Sequence, residues 1–213
     1  MLVACWSVKG GSGTTVVAAG LALLLARSSP GGALAVDLGG DLPSVLGLAE
    51  PEGPGVAEWM AAVDVGPEAL SRLEVEAEPG LRLVARGRCP LPPGGGERLA
   101  AALSGQRHAV VDCGSAGEPA GLAVAAAASL SLLVLRPCFL ALRRASAAPL
   151  RPSGVILVTE PSRALNRHDV EQVLGVPVRA EVAWDPAVAR SVDAGLLAGR
   201  VPRSLERALR RAS

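Results

Sequence analysis

Short apolar runs recur along the chain at 2–8, 33–36, 81–84, 109–111, 130–135, 155–158 and 178–182. Each is continuous rather than alternating and is bounded by Gly, Pro or charge, a pattern that predicts strands buried on both faces. The stretches between them, 15–27, 67–73, 97–103, 120–128, 140–147, 169–174 and 186–194, suit crossover helices. Strand and helix alternating in this way predict an α/β fold, with a mostly parallel sheet and helices on both faces. In such sheets ligands sit at the carboxyl ends of the strands, so chemistry is expected just after each apolar run.

Composition narrows this picture. A chain of 213 residues, half apolar and 19% charged, can bury one sizeable core, and a single domain over 1–213 is expected. The net charge of +1 gives no overall field for nucleic acid or acidic lipid, so any such contact needs a local patch. Cys5, Cys89, Cys113 and Cys138 lie far apart, with only two histidines to help them, which argues against a zinc site and for reduced thiols. The start of the chain has no basic leader or cleavage site, and a cytoplasmic location is expected. The apolar runs 16–26 and 122–135 are shorter than the roughly 18 to 20 residues that span a bilayer.

Two Gly/Pro-rich stretches, 50–55 and 89–96, suit surface loops. The tail, 201–213, suits an amphipathic basic helix with Arg203, Arg207, Arg210 and Arg211 on one stripe and Leu205 and Leu209 opposite. Its arginines fit either a solvated face or a contact with DNA or a membrane surface, the latter giving a peripheral location.

The candidate chemistry follows the first strand, where Lys9, Gly10, Gly11, Ser12, Gly13, Thr14 and Thr15 lead into an apolar helix. Backbone N–H groups at such a helix start can close around phosphate oxygens, and glycines let the chain approach without a Cβ in the way. The Thr15 hydroxyl is placed to ligate magnesium. An ordinary P-loop has lysine just before that hydroxyl, and here the position holds Thr14. A cation is present instead at Lys9, the only lysine in the chain. A flexible ammonium can follow phosphate groups in a way that a planar guanidinium cannot. A dinucleotide-binding fingerprint is the rival reading, but Gly11-x-Gly13 lacks the third glycine, and such a loop has no use for Lys9 or Thr15.

The run Lys9-Gly10-Gly11-x-Gly13-x-Thr15 resembles the deviant Walker A loop of the MinD/ParA ATPases. Threonine at Thr14 is similar to the CpaE/TadZ-like branch and to some septum-site proteins. The resemblance implies a P-loop NTPase fold, ATP or ADP with Mg2+ as cofactor, and a homodimer closed around nucleotide in which Lys9 reaches the partner's phosphates. It implies catalytic roles for Lys9 and Asp37 and places Thr15, Asp37 and Asp112 around the metal. Thr159, Glu160, Trp184, Asp185 and Pro186 match the base side. The implied function is a nucleotide switch that meets a further protein partner and organises cell division, chromosome partitioning or pilus assembly.

Three departures bear on hydrolysis. The family's second acid after Asp37 is replaced by Gly39, with Asp41 two residues on. Thr14 removes a lysine from the loop, and Thr159-Glu160 replaces the expected base-reading asparagine. Losing one contact to transition-state charge commonly costs about 3 to 4 kcal/mol of barrier, so slow or absent turnover is expected, and a non-hydrolysing interaction scaffold is the alternative.

Overall fold

One eight-stranded sheet runs through the computed structural model, in the order β3-β4-β2-β5-β1-β6-β7-β8. The described residues are 1–105 and 107–212; the expected tail, 201–213, thus ends on a residue outside them. The strands are β1 (Leu2–Ser7), β2 (Ala33–Asp37), β3 (Val75–Glu78), β4 (Leu81–Val84), β5 (His108–Ser115), β6 (Leu130–Leu135), β7 (Gly154–Thr159) and β8 (Val178–Ala183). Every neighbouring pair is parallel except β3 with β4.

The helices are α1 (Thr14–Ser28), α2 (Leu42–Val45), α3 (Val56–Ala61), α4 (Gly95–Leu103), α5 (Pro119–Ala127), α6 (Phe139–Ser146), α7 (Arg167–Leu174), α8 (Pro186–Asp193) and α9 (Arg203–Leu209). The expected helix at 67–73 is a 3-10 stretch, Pro67–Leu73. The expected strands all form; the first ends one residue early, at Ser7, while β2 and β8 run one residue further and β5 and β7 extend at both ends. β3, α2 and α3 were not expected. The sequence of β3, Val75-Glu76-Ala77-Glu78, is an exposed and charged edge, and the expectation of burial on both faces also fails at β8, the other edge, where buried and exposed residues alternate with Arg179 and Glu181 outward.

Alternation along β1 divides the core. Leu2, Ala4 and Trp6 face one apolar cluster together with α3, α4 and α5. Val3 and Cys5 face the other, made with α1 and α9. α1 is apolar nearly all round because it is covered on two sides, by the sheet and by α9. Gly20 permits this approach: a Cβ there would lie 2.6 Å from Leu209 Cδ1. Leu205 and Leu209 are therefore buried inside the fold, while Arg203, Arg207, Arg210 and Arg211 are exposed. Among the described residues no helix is long and apolar enough to cross a membrane.

The cysteines are unbridged, with Cys5 and Cys113 buried and Cys89 and Cys138 partly exposed. This architecture brings the carboxyl ends of β1, β2 and β5 side by side, because β5 lies between the other two.

Candidate nucleotide-binding site

β1 is fully buried to its last residue, and the chain then turns through an exposed glycine loop into α1. Gly11 and Gly13 adopt φ of +74° and +86°, the left-handed region that glycine enters at little cost. Gly13 caps α1, and no side chain hydrogen-bonds the cap. The first N–H groups of a 15-residue helix thus remain free at the positive end of its dipole.

Alternate carbonyls of the loop are tied down. Lys9 O accepts from Ser12 Oγ at 3.0 Å and lies 3.1 Å from Ser7 Oγ. Gly11 O accepts from Arg136 Nη1 at 3.2 Å, and Gly13 O accepts from Val17 N at 3.0 Å. A trans peptide points its C=O and N–H to opposite sides, so fixing these carbonyls turns the amides of Gly10, Ser12 and Thr14 the other way. The loop is a concave set of N–H donors with its acceptors spent elsewhere, the arrangement that binds anions.

A cavity of about 350 Å³ lies against it, lined by Gly10 to Val16 and by Ser7, Gly39, Asp41, Val45, Gly114 and Ser115. Thr14 and Ser12 are buried and Thr15 half-buried. Lys9 is half-buried, forms no ion pair among the described residues, and is not on the cavity wall.

Asp37 and Asp112 are in register on adjacent strands, and neither is exposed. Asp37 Oδ1 accepts from Gly40 N at 2.7 Å and Oδ2 from Leu42 N at 3.1 Å. Burial pushes its carboxyl up to about 7 against the pull of those amides, and the neighbouring Asp112 adds to the rise. Asp112 Oδ1 accepts from Gly114 N at 3.0 Å, while Oδ2 has no hydrogen-bond partner among the described residues. Burial raises the Asp112 carboxyl as well; the Thr15 hydroxyl and the Gly114 amide beside it pull the other way.

A buried carboxylate oxygen without a partner costs free energy unless a cation or donor meets it. Asp112 Oδ2 with Thr15 close by therefore fits a magnesium site. No group of three His, Cys, Asp or Glu among the described residues is arranged to hold a metal. Asp37 fits such a site less well, since both its oxygens hold the backbone that leads into α2.

On the other side of the loop is a cavity of about 230 Å³. Gly11 to Gly13, Val16 and Val17 form one wall, and Val158, Val182, Trp184, Asp185 and Val188 lie opposite. Of the base-side residues expected from sequence, Trp184 and Asp185 line this cleft, whereas Thr159, Glu160 and Pro186 do not. Trp184 is 52% exposed at the rim, with its amide on Thr159 O. Asp185 caps α8 by accepting from Ala187 N at 2.8 Å, and also accepts from Ser204 Oγ at 2.6 Å. The Ser204 hydroxyl first, and the Ala187 amide next, hold its carboxyl below the usual range. Glu160 pairs with both Arg136 and Arg163.

Arg136 and the aliphatic walls of the cleft were not expected from the sequence. The signal for Arg136 was its place one residue beyond the end of β6, on the ligand side of a parallel sheet.

No family model matches the chain, and no curated protein does. Solved structures match over nearly its whole length. The septum site-determining protein MinD from Pyrococcus horikoshii, in complex with Mg-ADP, is 19% identical with a TM-score of 0.79, over 99% of this chain and 93% of that one. A ParA family ATPase from Chlorobium tepidum is 22% identical with a TM-score of 0.75, over 98% and 95%. A McdA–ATP complex from Cyanothece is 18% identical with a TM-score of 0.74, over 99% and 95%. With the glycine loop after β1 and the registered acids Asp37 and Asp112 on β2 and β5, this chain has the P-loop fold of the MinD/ParA-type ATPases.

Proposed function

We propose that this single domain binds ATP and ADP with Mg2+ at Lys9 to Thr15 and acts as a nucleotide switch of the MinD/ParA kind. The observation that carries the reading is the loop, whose carbonyls at Lys9, Gly11 and Gly13 are all engaged while its amides and the start of α1 remain available. In it the amides of Gly10 to Thr15 hold the β-phosphate, and Thr15 and Asp112 hold the metal and its water. The aliphatic cleft beside Trp184 takes the base. Magnesium, when bound, neutralises phosphate charge and fixes the orientation of the triphosphate.

Lys9 forms no ion pair within the described chain and stands outside the phosphate cavity, which leaves its ammonium to reach the phosphates of a second copy. The closed homodimer then presents a surface to a protein partner in division, chromosome partitioning or pilus assembly. The nucleotides held by two of the structural neighbours support the choice of ligand. Titration of the folded chain with Mg-ATP, followed by light scattering, tests this. Saturable binding and a doubled mass are expected, and Lys9→Ala is expected to keep the fold but remain monomeric. A chain that binds neither ATP nor ADP ends the proposal.

A second reading, an interaction scaffold that does not hydrolyse nucleotide, is favoured by Asp37 and Gly39. Both Asp37 oxygens already accept from loop amides, and residue 39 carries no acid at all. Phosphate release above background that is lost in Asp112→Asn supports an ATPase; no release from a nucleotide-binding chain supports the scaffold.

A further inference from the structure

The anion loop lacks a cation of its own at Thr14, and the structure supplies one from elsewhere in the chain. Among the described residues lining the two cavities that flank the loop, Arg136 is the only basic one. We propose that Arg136, steadied by Glu160, is a positioning residue that holds the phosphate loop in its binding shape from the carbonyl side. This rests on the nucleotide reading above and adds a residue to it.

The guanidinium uses its two arms differently. Nη1 donates to Gly11 O at 3.2 Å, and Nη2 pairs with Glu160 at the end of β7. A planar fork can engage two acceptors in fixed directions at once, which a single ammonium cannot. The bond to Gly11 O fixes the peptide between Gly11 and Ser12, and with it the direction of the Ser12 N–H. Gly11 itself is exposed, whereas Ser12 is buried. The flanking carbonyls of Lys9 and Gly13 are held by neighbours within the loop and α1, so Gly11 O is the one whose support comes from a distant strand.

Glu160 does not cancel the charge of Arg136, because it is shared with Arg163. The three side chains together carry one net positive charge at the rim of the loop. A cation bonded to a carbonyl also polarises that peptide, which strengthens its N–H as a donor to phosphate. The arrangement thereby restores in part the positive field that the neutral Thr14 omits.

The test uses the full chain and three variants, Arg136→Ala, Arg136→Lys and Glu160→Gln, each checked by thermal melting. Two quantities are read: amide hydrogen exchange of Gly10 to Thr14 in the free protein, and Kd for Mg-ATP and Mg-ADP by calorimetry. Arg136→Ala is expected to speed loop exchange and to weaken both nucleotides about tenfold, the loss of one charge-assisted hydrogen bond. Its melting point should stay near that of the parent chain, since the side chain is 35% exposed. Arg136→Lys should regain part of the affinity by meeting Gly11 O alone, and Glu160→Gln should cost about two- to threefold. Unchanged exchange and affinity in a folded Arg136→Ala overturn the inference and leave the nucleotide reading intact. Faster loop exchange in Arg136→Ala, from a parent chain that binds no nucleotide, sinks that reading and leaves the positioning role standing.

Discussion

Asp37, at the end of β2, and Asp112, within β5, stand side by side in register on neighbouring parallel strands and are equally hidden from solvent, yet they are differently equipped. Both oxygens of Asp37 are bonded to amides of the next loop, whereas one oxygen of Asp112 has no partner. The same residue type in the same topological place therefore does two jobs. Asp37 holds the turn into α2, and Asp112 leaves one oxygen unpaired. What separates them is the path of the following chain. After Asp37 it curls back through Gly40 and Leu42, and after Asp112 only Gly114 returns.

The widest gap between the two acids should appear in magnesium dependence. If the proposed site holds Mg2+, Asp112→Asn removes its charged partner, and the gain in ATP affinity on adding Mg2+ should fall roughly tenfold to a hundredfold. Asp37→Asn should leave that gain nearly intact. Calorimetry with and without EDTA measures both, and equal losses in the two variants would erase the distinction.

Stability should reverse the ranking. Asp37→Ala leaves the amides of Gly40 and Leu42 without acceptors, at about 1 to 3 kcal/mol each where they are buried. Part of this is offset, because the variant also removes a carboxyl that burial holds near 7. A net loss of about 2 kcal/mol is expected from urea unfolding. Asp112→Ala relieves an unpaired buried oxygen and should cost less in the ligand-free chain.

Both acids read alike in the sequence, as an aspartate ending an apolar run, and this marks the limit of what was legible. The central parallel strands showed because burial on both faces leaves mostly apolar runs, and the edge strand β8 showed through alternating Val and Ala. The glycine loop showed because its residues are contiguous and its chemistry is local. Arg136 did not, since its partner Gly11 lies 125 positions away. Nor did α3, which starts just after a Gly/Pro-rich stretch and is fastened by Glu58 to the loop at Arg88 and Cys89. The resemblance at Thr159-Glu160 pointed to the base, but Glu160 turns instead to Arg136 and Arg163.

Gly39 offers a finer probe of the same pair. A Cβ at this position would stand 3.0 Å from Asp112 Oδ2, the unpaired oxygen. Gly39→Ala should push the Asp112 side chain aside by a few tenths of an ångström at about 1 kcal/mol of strain. The magnesium-dependent gain in ATP affinity should then drop by about threefold, and Asp37 should be unaffected. An unchanged magnesium response would show that the carboxylate orientation is not set by the space over Gly39.

Glu58 supplies the smallest effect and a control for Asp37, as a second carboxylate held by loop amides. It accepts from Gly55 N at 2.7 Å, Arg88 N at 2.8 Å and Cys89 N at 2.9 Å. Burial acts to raise this carboxyl, as at Asp37, but here the bonds from Gly55, the Cys89 thiol and the Arg88 and Cys89 amides win and bring it to about 2. Because the folded value lies below the ordinary one, the stabilisation from Glu58 is complete above about pH 4.5 and is lost as pH falls toward about 2. Glu58→Gln should lower stability at neutral pH by about 1 kcal/mol and flatten the acid limb of the curve between those values. Asp37 shifts in the opposite direction, so Asp37→Asn should leave that limb in place. Urea midpoints taken from pH 2.5 to 5 separate the two, and an acid limb that persists in Glu58→Gln would show that the clamp on α3 does not depend on the carboxylate charge.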